Sequence, residues 1–295
     1  MNSPARISLD QLNAMDAAGF SAALAGVFEH TPWVAERARA DGPFKTVTAL
    51  HAALMDTVRT APYDQQLAFL RGHPELADKV AKGLTAESQS EQGGLGLNSL
   101  SGAEFERFTK LNAAYREKFG FPFIVCVRRH TRDSILRVFE QRLHDNAGAE
   151  LAAALTEIGH ITRLRLIDKI DGPGMPKTTG RLSTHVLDTL NGRPAEGVAI
   201  TLHEVGESAR GLIASVVTNA DGRSSKPLFE NVPLRIGTYE LQFHIGAYFA
   251  AAGAKTSDPA FLDIVPIRFA IAEPEGHYHV PLVASPWSYS TYRGS

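Results

Sequence analysis

The 16 prolines of this chain are unevenly spread: six precede residue 170 and ten lie in the shorter remainder. Proline is expelled from helix interiors and gathers at turns and strand ends. The distribution therefore predicts a helical first part and a β second part. At 295 residues, two domains of ordinary size fit the length. Asp171-Gly172-Pro173-Gly174-Met175-Pro176-Lys177 lies between the two parts and reads as a linker.

Periodicity points the same way. Phe20, Leu24, Val27 and Phe28 follow helical spacing, as do Leu50, Leu54 and Val58. Leu151, Leu155, Ile158 and Ile161 mark a final long helix. Thr31-Pro32 reads as an N-cap followed by proline at the first helical position. Ser101 with Glu104 forms a capping box, and Gly120 stops the same helix. Seven or eight helices and no strand are expected before residue 170. Beyond the linker the period drops to two, at Val198, Ile200 and Leu202, at Tyr239, Leu241, Phe243 and Ile245, and at Val265, Ile267, Phe269 and Ile271. Asn191-Gly192 and Asp221-Gly222 are hairpin-turn pairs. Seven or eight short strands there predict a β-sandwich.

Charge narrows the function classes. A formal net charge of -2 provides no global field to attract nucleic acid or an anionic membrane. No run of eighteen apolar residues exists to span a membrane, and no apolar run of signal-peptide length follows Met1. The lone cysteine, Cys126, cannot form an intrachain disulfide and fits a reducing compartment. A cytoplasmic enzyme is expected.

In the β part, His277 and His279 stand two apart on a strand and face the same side. His185 lies in a strand from Leu182 to Asp188, sharing a face with Ser183 and Leu187, and Arg223 follows the Asp221-Gly222 turn. Spacing alone allows three unrelated surface histidines, a zinc site completed by His185 or His244, or metal-free acid–base chemistry. The tail adds a more specific signal. Ser285-Pro286-Trp287-Ser288-Tyr289-Ser290-Thr291-Tyr292-Arg293-Gly294-Ser295 resembles the C-terminal signature of the transthyretin-like 5-hydroxyisourate hydrolases. Leu182-Ser183-Thr184-His185-Val186-Leu187-Asp188 and Thr218-Asn219-Ala220-Asp221-Gly222-Arg223 resemble that family's other two motifs. The resemblance implies a transthyretin-like fold over residues 180–295 and a homotetramer with sites in the channel between paired dimers. It implies catalysis by His185, Arg223 and His279, with Ser290, Tyr292, Arg293, Gly294 and Ser295 lining the site. His277 matches no catalytic position and is expected to be structural or peripheral.

In the helical part, each feature alone has an ordinary explanation. His73 could be a packed histidine at a helix junction, where Pro74 can open a new helix. Ser88 and Glu91 share a helix face, Phe121 to Val125 is apolar and extended, and Arg163 and Arg165 sit near the end of the last helix. Together with Phe28-Glu29-His30-Thr31-Pro32-Trp33-Val34-Ala35 and Leu111-Asn112-x-x-Tyr115-x-x-x-Phe119-Gly120-Phe121-Pro122-Phe123, they resemble 2-oxo-4-hydroxy-4-carboxy-5-ureidoimidazoline (OHCU) decarboxylase. That resemblance implies an all-α domain over residues 1–168, followed by a linker at 169–179. It implies His73 and Glu91 as the acid–base pair and Ser88 and Gln92 as substrate hydrogen-bonders. Arg165, or alternatively Arg163, would be the substrate cation, with Pro74, Phe121 and Ile124 as pocket wall.

The domain order resembles the allantoin synthases, in which the β domain makes the substrate of the helical one. The implied enzyme is bifunctional, converts 5-hydroxyisourate through OHCU to (S)-allantoin, and uses no metal or organic cofactor. Its partners would be these small molecules, with no nucleic acid or membrane. A transthyretin-like carrier with a helical adaptor, a zinc hydrolase, and a fusion with one active domain are the competing readings.

Overall fold

The computed structural model describes residues 6–77, 85–207 and 210–294. The chain divides into two units, residues 1–128 with 135–177, and residues 129–134 with 178–295.

Nine α-helices precede residue 170 among the described residues, against the seven or eight expected. They are α1 (Leu9–Asn13), α2 (Ala17–Ala23), α3 (Trp33–Ala38), α4 (Val47–Arg59), α5 (Tyr63–Arg71), α6 (Ala86–Gly94), α7 (Gly102–Phe119), α8 (Arg132–Arg142) and α9 (Ala147–Lys169). Local chemistry sets their ends. Ser101 Oγ accepts from Glu104 N and the Glu104 carboxylate accepts from Ser101 N, so the capping box forms as predicted. Gly120 closes α7 at φ +74°, a left-handed conformation costly for any residue with a Cβ. The Thr31 cap does not form: Thr31 Oγ1 donates to Phe28 O, and Pro32 precedes α3 without a side-chain cap. Leu50, Leu54 and Val58 are fully buried in the helical core with Phe20, Phe108 and Ile158. Burying each such side chain stabilises the unit by about 1.5–3 kcal/mol.

The unit also contains strand pairing that periodicity missed. Ile7–Ser8 (β1) pairs in parallel with Ile170–Asp171 (β2). Two residues are too few to show alternation. The segment read as a linker is built into the helical unit at its start. Pro173 O accepts from Val47 N, and Gly174 O accepts from Thr48 N and Thr48 Oγ1, which supplies acceptors for the first turn of α4. Residues 74–77 form no helix, and the remainder of the helix expected from Pro74 lies outside the described residues.

Among the described residues the second unit contains eleven short strands rather than seven or eight, because several strands are interrupted. They are β3 (Gly180–Ser183), β4 (Val186–Asp188), β5 (Arg193–Pro194), β6 (Ala199–Val205), β7 (Arg210–Val217), β8 (Phe229–Val232), β9 (Gly237–His244), β10 (Ile264–Ile271), β11 (His277–His279), β12 (Leu282–Ala284) and β13 (Tyr289–Thr291). One sheet has the order β10-β9-β6-β7 and is antiparallel throughout. The other is split into β11-β3-β8 and β13-β12-β4-β5. Leu182, Val186, Leu282 and Tyr278 from the split sheet share one core with Leu202, Leu241 and Phe243 from the antiparallel sheet. Ile245 does not continue β9 but opens helix α10 (Ile245–Ala251).

The single strand expected from Leu182 to Asp188 is broken at Thr184–His185, although its burial alternation survives across the break. β3 and β4 run parallel to β11 and β12, and the break is bridged by Val280 N to Ser183 O at 3.0 Å and Leu282 N to His185 O at 2.8 Å. This parallel pairing places His185 and His279 on neighbouring chain segments.

Candidate active sites

In the helical unit, Arg165 on α9 organises the polar cluster. Its Nε donates to Glu91 Oε1 at 3.0 Å and its Nη2 to Glu91 Oε2 at 2.7 Å. Nη1 donates to Glu29 Oε1 at 2.9 Å and to Gly26 O at 3.2 Å, and Nη2 donates to Ser88 Oγ at 3.0 Å. Ser88 Oγ donates in turn to Glu29, and Thr85 Oγ1 donates to the other Glu29 oxygen at 2.9 Å. The Arg165, Glu29 and Glu91 side chains are 3%, 5% and 15% exposed, so screening by water is weak. Burial would raise the Glu29 carboxyl, but the Arg165 charge and the hydrogen bond from Ser88 hold it below its ordinary value. Burial would lower Arg165, and its pairing with Glu91 and Glu29 reverses that, keeping it firmly cationic.

His73 follows the end of α5. Its Nδ1 is 3.0 Å from Phe69 O, and a carbonyl can only accept, so Nδ1 carries the proton and Nε2 keeps a lone pair. Burial lowers the His73 pKa, partly opposed by the Glu29 charge. The neutral ring is therefore the resting form at neutral pH.

His73, Pro74, Ser88, Glu91, Gln92, Ile124 and Arg165 all line one pocket, together with Glu29 and Phe123. Arg165 rather than Arg163 lines it. Three expectations change in detail. Phe121 is not part of the wall, because its ring is spent in an aromatic cluster with Tyr115 and Phe119. Gln92 has both ends of its amide engaged, Oε1 accepting from Ala77 N at 3.1 Å and Nε2 donating to Glu75 O at 3.4 Å, so it shapes the turn after His73. Arg165 spends five hydrogen bonds on protein acceptors, which matches all the donors a guanidinium has, so a substrate anion must displace one of these partners.

Glu29, to which the sequence motif gives no role, completes the cluster. Helical spacing through Phe28 is not realised, because α2 ends at Ala23 and Glu29 lies in the turn before α3. The wall behind the pocket is pinned by Arg142, whose Nη1 donates to Ile124 O at 2.8 Å and whose Nε donates to Glu150 at 3.0 and 3.1 Å. Glu150 also accepts from Tyr115 OH.

In the β unit, the Asn219–Arg223 turn docks on the start of β4. Asn219 Oδ1 accepts from Asp221 N and Arg223 N, both at 3.1 Å, and Val186 N donates to Gly222 O at 2.8 Å. Gly222 sits at φ +70°, and a Cβ there would lie 2.4 Å from Val186 O and 3.1 Å from His185 Cδ2. Only glycine lets the turn approach closely enough to bridge His185 with Arg223. The Asp221 backbone hydrogen-bonds the His185 ring, while His185 Nε2 is buried with no hydrogen-bond partner among the described residues. Burial and then Arg223 lower the His185 pKa. The same causes, joined by His185 and His277, lower that of His279. Both rings are therefore kept neutral, as acceptors, beside a cation.

The tail returns to this place. Gly294 N donates to His279 O at 2.9 Å, and a Cβ on Gly294 would lie 2.6 Å from His279 Cδ2. Arg293 lies over the Tyr278 ring at 5.0 Å. Ser290 pairs with Val283 in the β12–β13 ladder, and it and Tyr292 are exposed. Ser295 lies outside the described residues. Among the described residues, no group of three or more His, Cys, Asp or Glu side chains is placed to hold a metal ion.

A helical unit with a His–Glu–Arg pocket and a transthyretin-like sandwich with a His–Arg–His site define a two-domain enzyme class. Residues 13–167 match the family model for OHCU decarboxylase and residues 182–294 that for the HIUase/transthyretin family. The chain belongs to the OHCU decarboxylase family in its helical half and to the HIUase/transthyretin family in its β half. The 5-hydroxyisourate hydrolase 2 of Rhizobium meliloti (strain 1021) is 58% identical over 117 residues, covering 40% of this chain and 98% of that protein. The 2-oxo-4-hydroxy-4-carboxy-5-ureidoimidazoline decarboxylase of Haloferax volcanii is 39% identical over 163 residues, 55% of this chain and 96% of that protein. A crystal structure of (S)-allantoin synthase is 38% identical, covers 98% of this chain and 100% of that one, and superposes with a TM-score of 0.55.

Proposed function

We propose that this chain is a bifunctional enzyme of urate breakdown. Its β unit hydrolyses 5-hydroxyisourate to OHCU, and its helical unit decarboxylates OHCU to (S)-allantoin. The observation that carries this reading is the pocket of His73, Glu91, Ser88 and Arg165 on a chain that also holds His185, Arg223 and His279. The matches to both families support it.

Hydrolysis needs a base near neutral pH and a cation beside the carbonyl oxygen that gains charge. Neutral His185 and His279 suit the base, and Arg223 suits the cation. Ser290 and residues 292–295 would line the site. Decarboxylation without a cofactor requires the substrate ring to hold the electrons of the breaking C–C bond. His73 Nε2 can take the hydroxyl proton and return it to one face of the ring carbon after CO2 leaves, which fixes chirality, and a proton from solvent neutralises the charge left on the ring nitrogen. Glu91 and Arg165 would orient the substrate.

The proposal includes a homotetramer formed through the β unit. Leu212, Val217, Trp287 and Tyr292 are more than half exposed there, an apolar surface that association would cover. Sedimentation velocity tests it. A cytoplasmic location is also proposed. The chain's only cysteine is buried, and no described helix is long and apolar enough to cross a membrane.

The test is to add the protein to urate and urate oxidase, following ultraviolet decay and circular dichroism together. Accelerated loss of both intermediates with optically active allantoin is expected. Decay at the uncatalysed rates to a racemic product would overturn the reading.

A further inference from the structure

Ser183 Oγ lies 3.0 Å from His279 Nδ1 and 3.3 Å from His277 Nε2. The contact follows from register. Strand β11 pairs with β3 so that His279 stands opposite Ser183, and His277, two residues earlier, projects to the same side. His279 is half-buried and His277 is exposed. A serine hydroxyl holds one proton and two lone pairs, so it can accept from one ring while donating to the other. The geometry is a three-member chain from the site to solvent.

We propose that Ser183 and His277 are positioning residues for hydrolysis, acting through His279 as a proton relay. This rests on the reading of His279 as a hydrolytic base. In the resting state His279 Nδ1–H donates to Ser183 Oγ, whose own proton points to His277 Nε2. His279 Nε2 is then the acceptor for the attacking water. As the water oxygen bonds to the ring carbonyl carbon, its proton moves to Nε2. The Nδ1 proton moves to Ser183 Oγ, and the hydroxyl proton moves to His277 Nε2. Positive charge thus leaves a half-buried ring that faces Arg223 and His185 and arrives on an exposed ring screened by water. When the C–N bond breaks, Nε2 gives its proton to the leaving ring nitrogen and the relay runs back. No proton is gained or lost over the cycle.

The charged and titratable groups acting on His279 are Arg223, His185 and His277, and all three disfavour its charged form, opposed by a hydrogen bond to the Ser183 backbone. Gly294 covers the ring edge with backbone only. Moving charge outward relieves this repulsion during the step that creates it.

The test uses the full-length protein with enzymatically generated 5-hydroxyisourate. Ser183→Ala and His277→Gln should each lower kcat about tenfold with KM little changed. The double variant should be no slower than either single one, because both cut the same chain. Ser183→Thr, which keeps a hydroxyl, should recover most of the rate, and added imidazole should partly rescue His277→Ala. Rates in mixtures of light and heavy water should give a bowed proton inventory for the parent and a straight one for Ser183→Ala. Unchanged kcat in His277→Gln, additive losses, or a bowed inventory in Ser183→Ala would overturn the relay. His279→Ala separates the two layers. If it abolishes hydrolysis while His277→Gln is silent, the relay alone fails. If it leaves hydrolysis intact, the role of His279 and the relay fail together.

Discussion

Arg165 holds Glu91 by two parallel hydrogen bonds, fastening helix α9 to helix α6 across the floor of the decarboxylase pocket. A planar fork makes this pairing and a point charge cannot. Arg165→Lys should therefore lose more than a hundredfold in decarboxylation despite keeping the charge. It should also destabilise the helical unit by about 2–4 kcal/mol, since buried carboxylates lose their partners. Single-turnover assays and urea unfolding measure the two effects. A lysine variant with parental activity would show that the fork is not needed.

His73→Ala should lower decarboxylation by about 10²–10⁴-fold, the usual worth of a positioned acid–base group. Hydroxyisourate hydrolysis should continue, because its residues lie in the other unit. In the coupled assay OHCU should accumulate and then decay to racemic allantoin. Normal optical activity of the product would remove His73 from the mechanism.

Glu29→Gln tests the unassigned carboxylate. The folded pKa of Glu29 lies below its ordinary 4.5, so its charge contributes stability that is complete above pH 4.5 and is lost as pH falls through the lowered value. The variant should be less stable at neutral pH by about 1–3 kcal/mol, the cost of weakening hydrogen bonds to a buried cation. Its stability should also fall less than the parent's on acidification. Parallel stability–pH curves for the two proteins would contradict this.

For hydrolysis, the folded pKa values of His185 and His279 are both below 6.5. The neutral, basic forms therefore persist below pH 6.5, and the acid limb of kcat/KM should fall there. Arg223→Gln removes one cause of the lowering and should move that limb upward as well as slow the reaction. A limb that stays in place in the variant would mean that Arg223 does not act on these rings.

Tail removal gives a separate expectation. Deleting residues 292–295 should slow hydrolysis more than tenfold, equivalent to more than about 1.4 kcal/mol of transition-state stabilisation. Gly294→Ala should have a similar effect by forcing the tail off the His279 ring. Decarboxylation should be unaffected by either change. Full hydrolysis by the truncated protein would detach the tail from the site.

Much of this is legible in the residue patterns alone. The α7 capping box, the glycine at its end and the β-strand alternations depend on near neighbours in sequence, so local chemistry discloses them. The pocket residues His73, Ser88, Glu91 and Arg165 are 92 residues apart at their extremes, and family motifs rather than periodicity singled them out. What stayed hidden depended on tertiary pairing. Phe121 reads as pocket wall from its motif, whereas its ring packs with Tyr115 and Phe119. Glu29 gained meaning only from Arg165, and the break at Thr184–His185 only from the neighbouring strand β11. The saturation of Arg165 could not be read from a motif that names one acceptor at a time.

The pairing of Ile7 with Ile170 has a consequence for synthesis on the ribosome. The first strand of the helical unit must wait for a partner 163 positions later in the chain. At ordinary elongation speeds of about 5–20 residues per second, that wait is roughly 8–30 s. The amphipathic helices between them emerge with their apolar faces uncovered during this interval. The helical unit therefore cannot close its last seam until the polypeptide leading into the β unit is already being made, and the order of translation becomes part of how the unit reaches its native state.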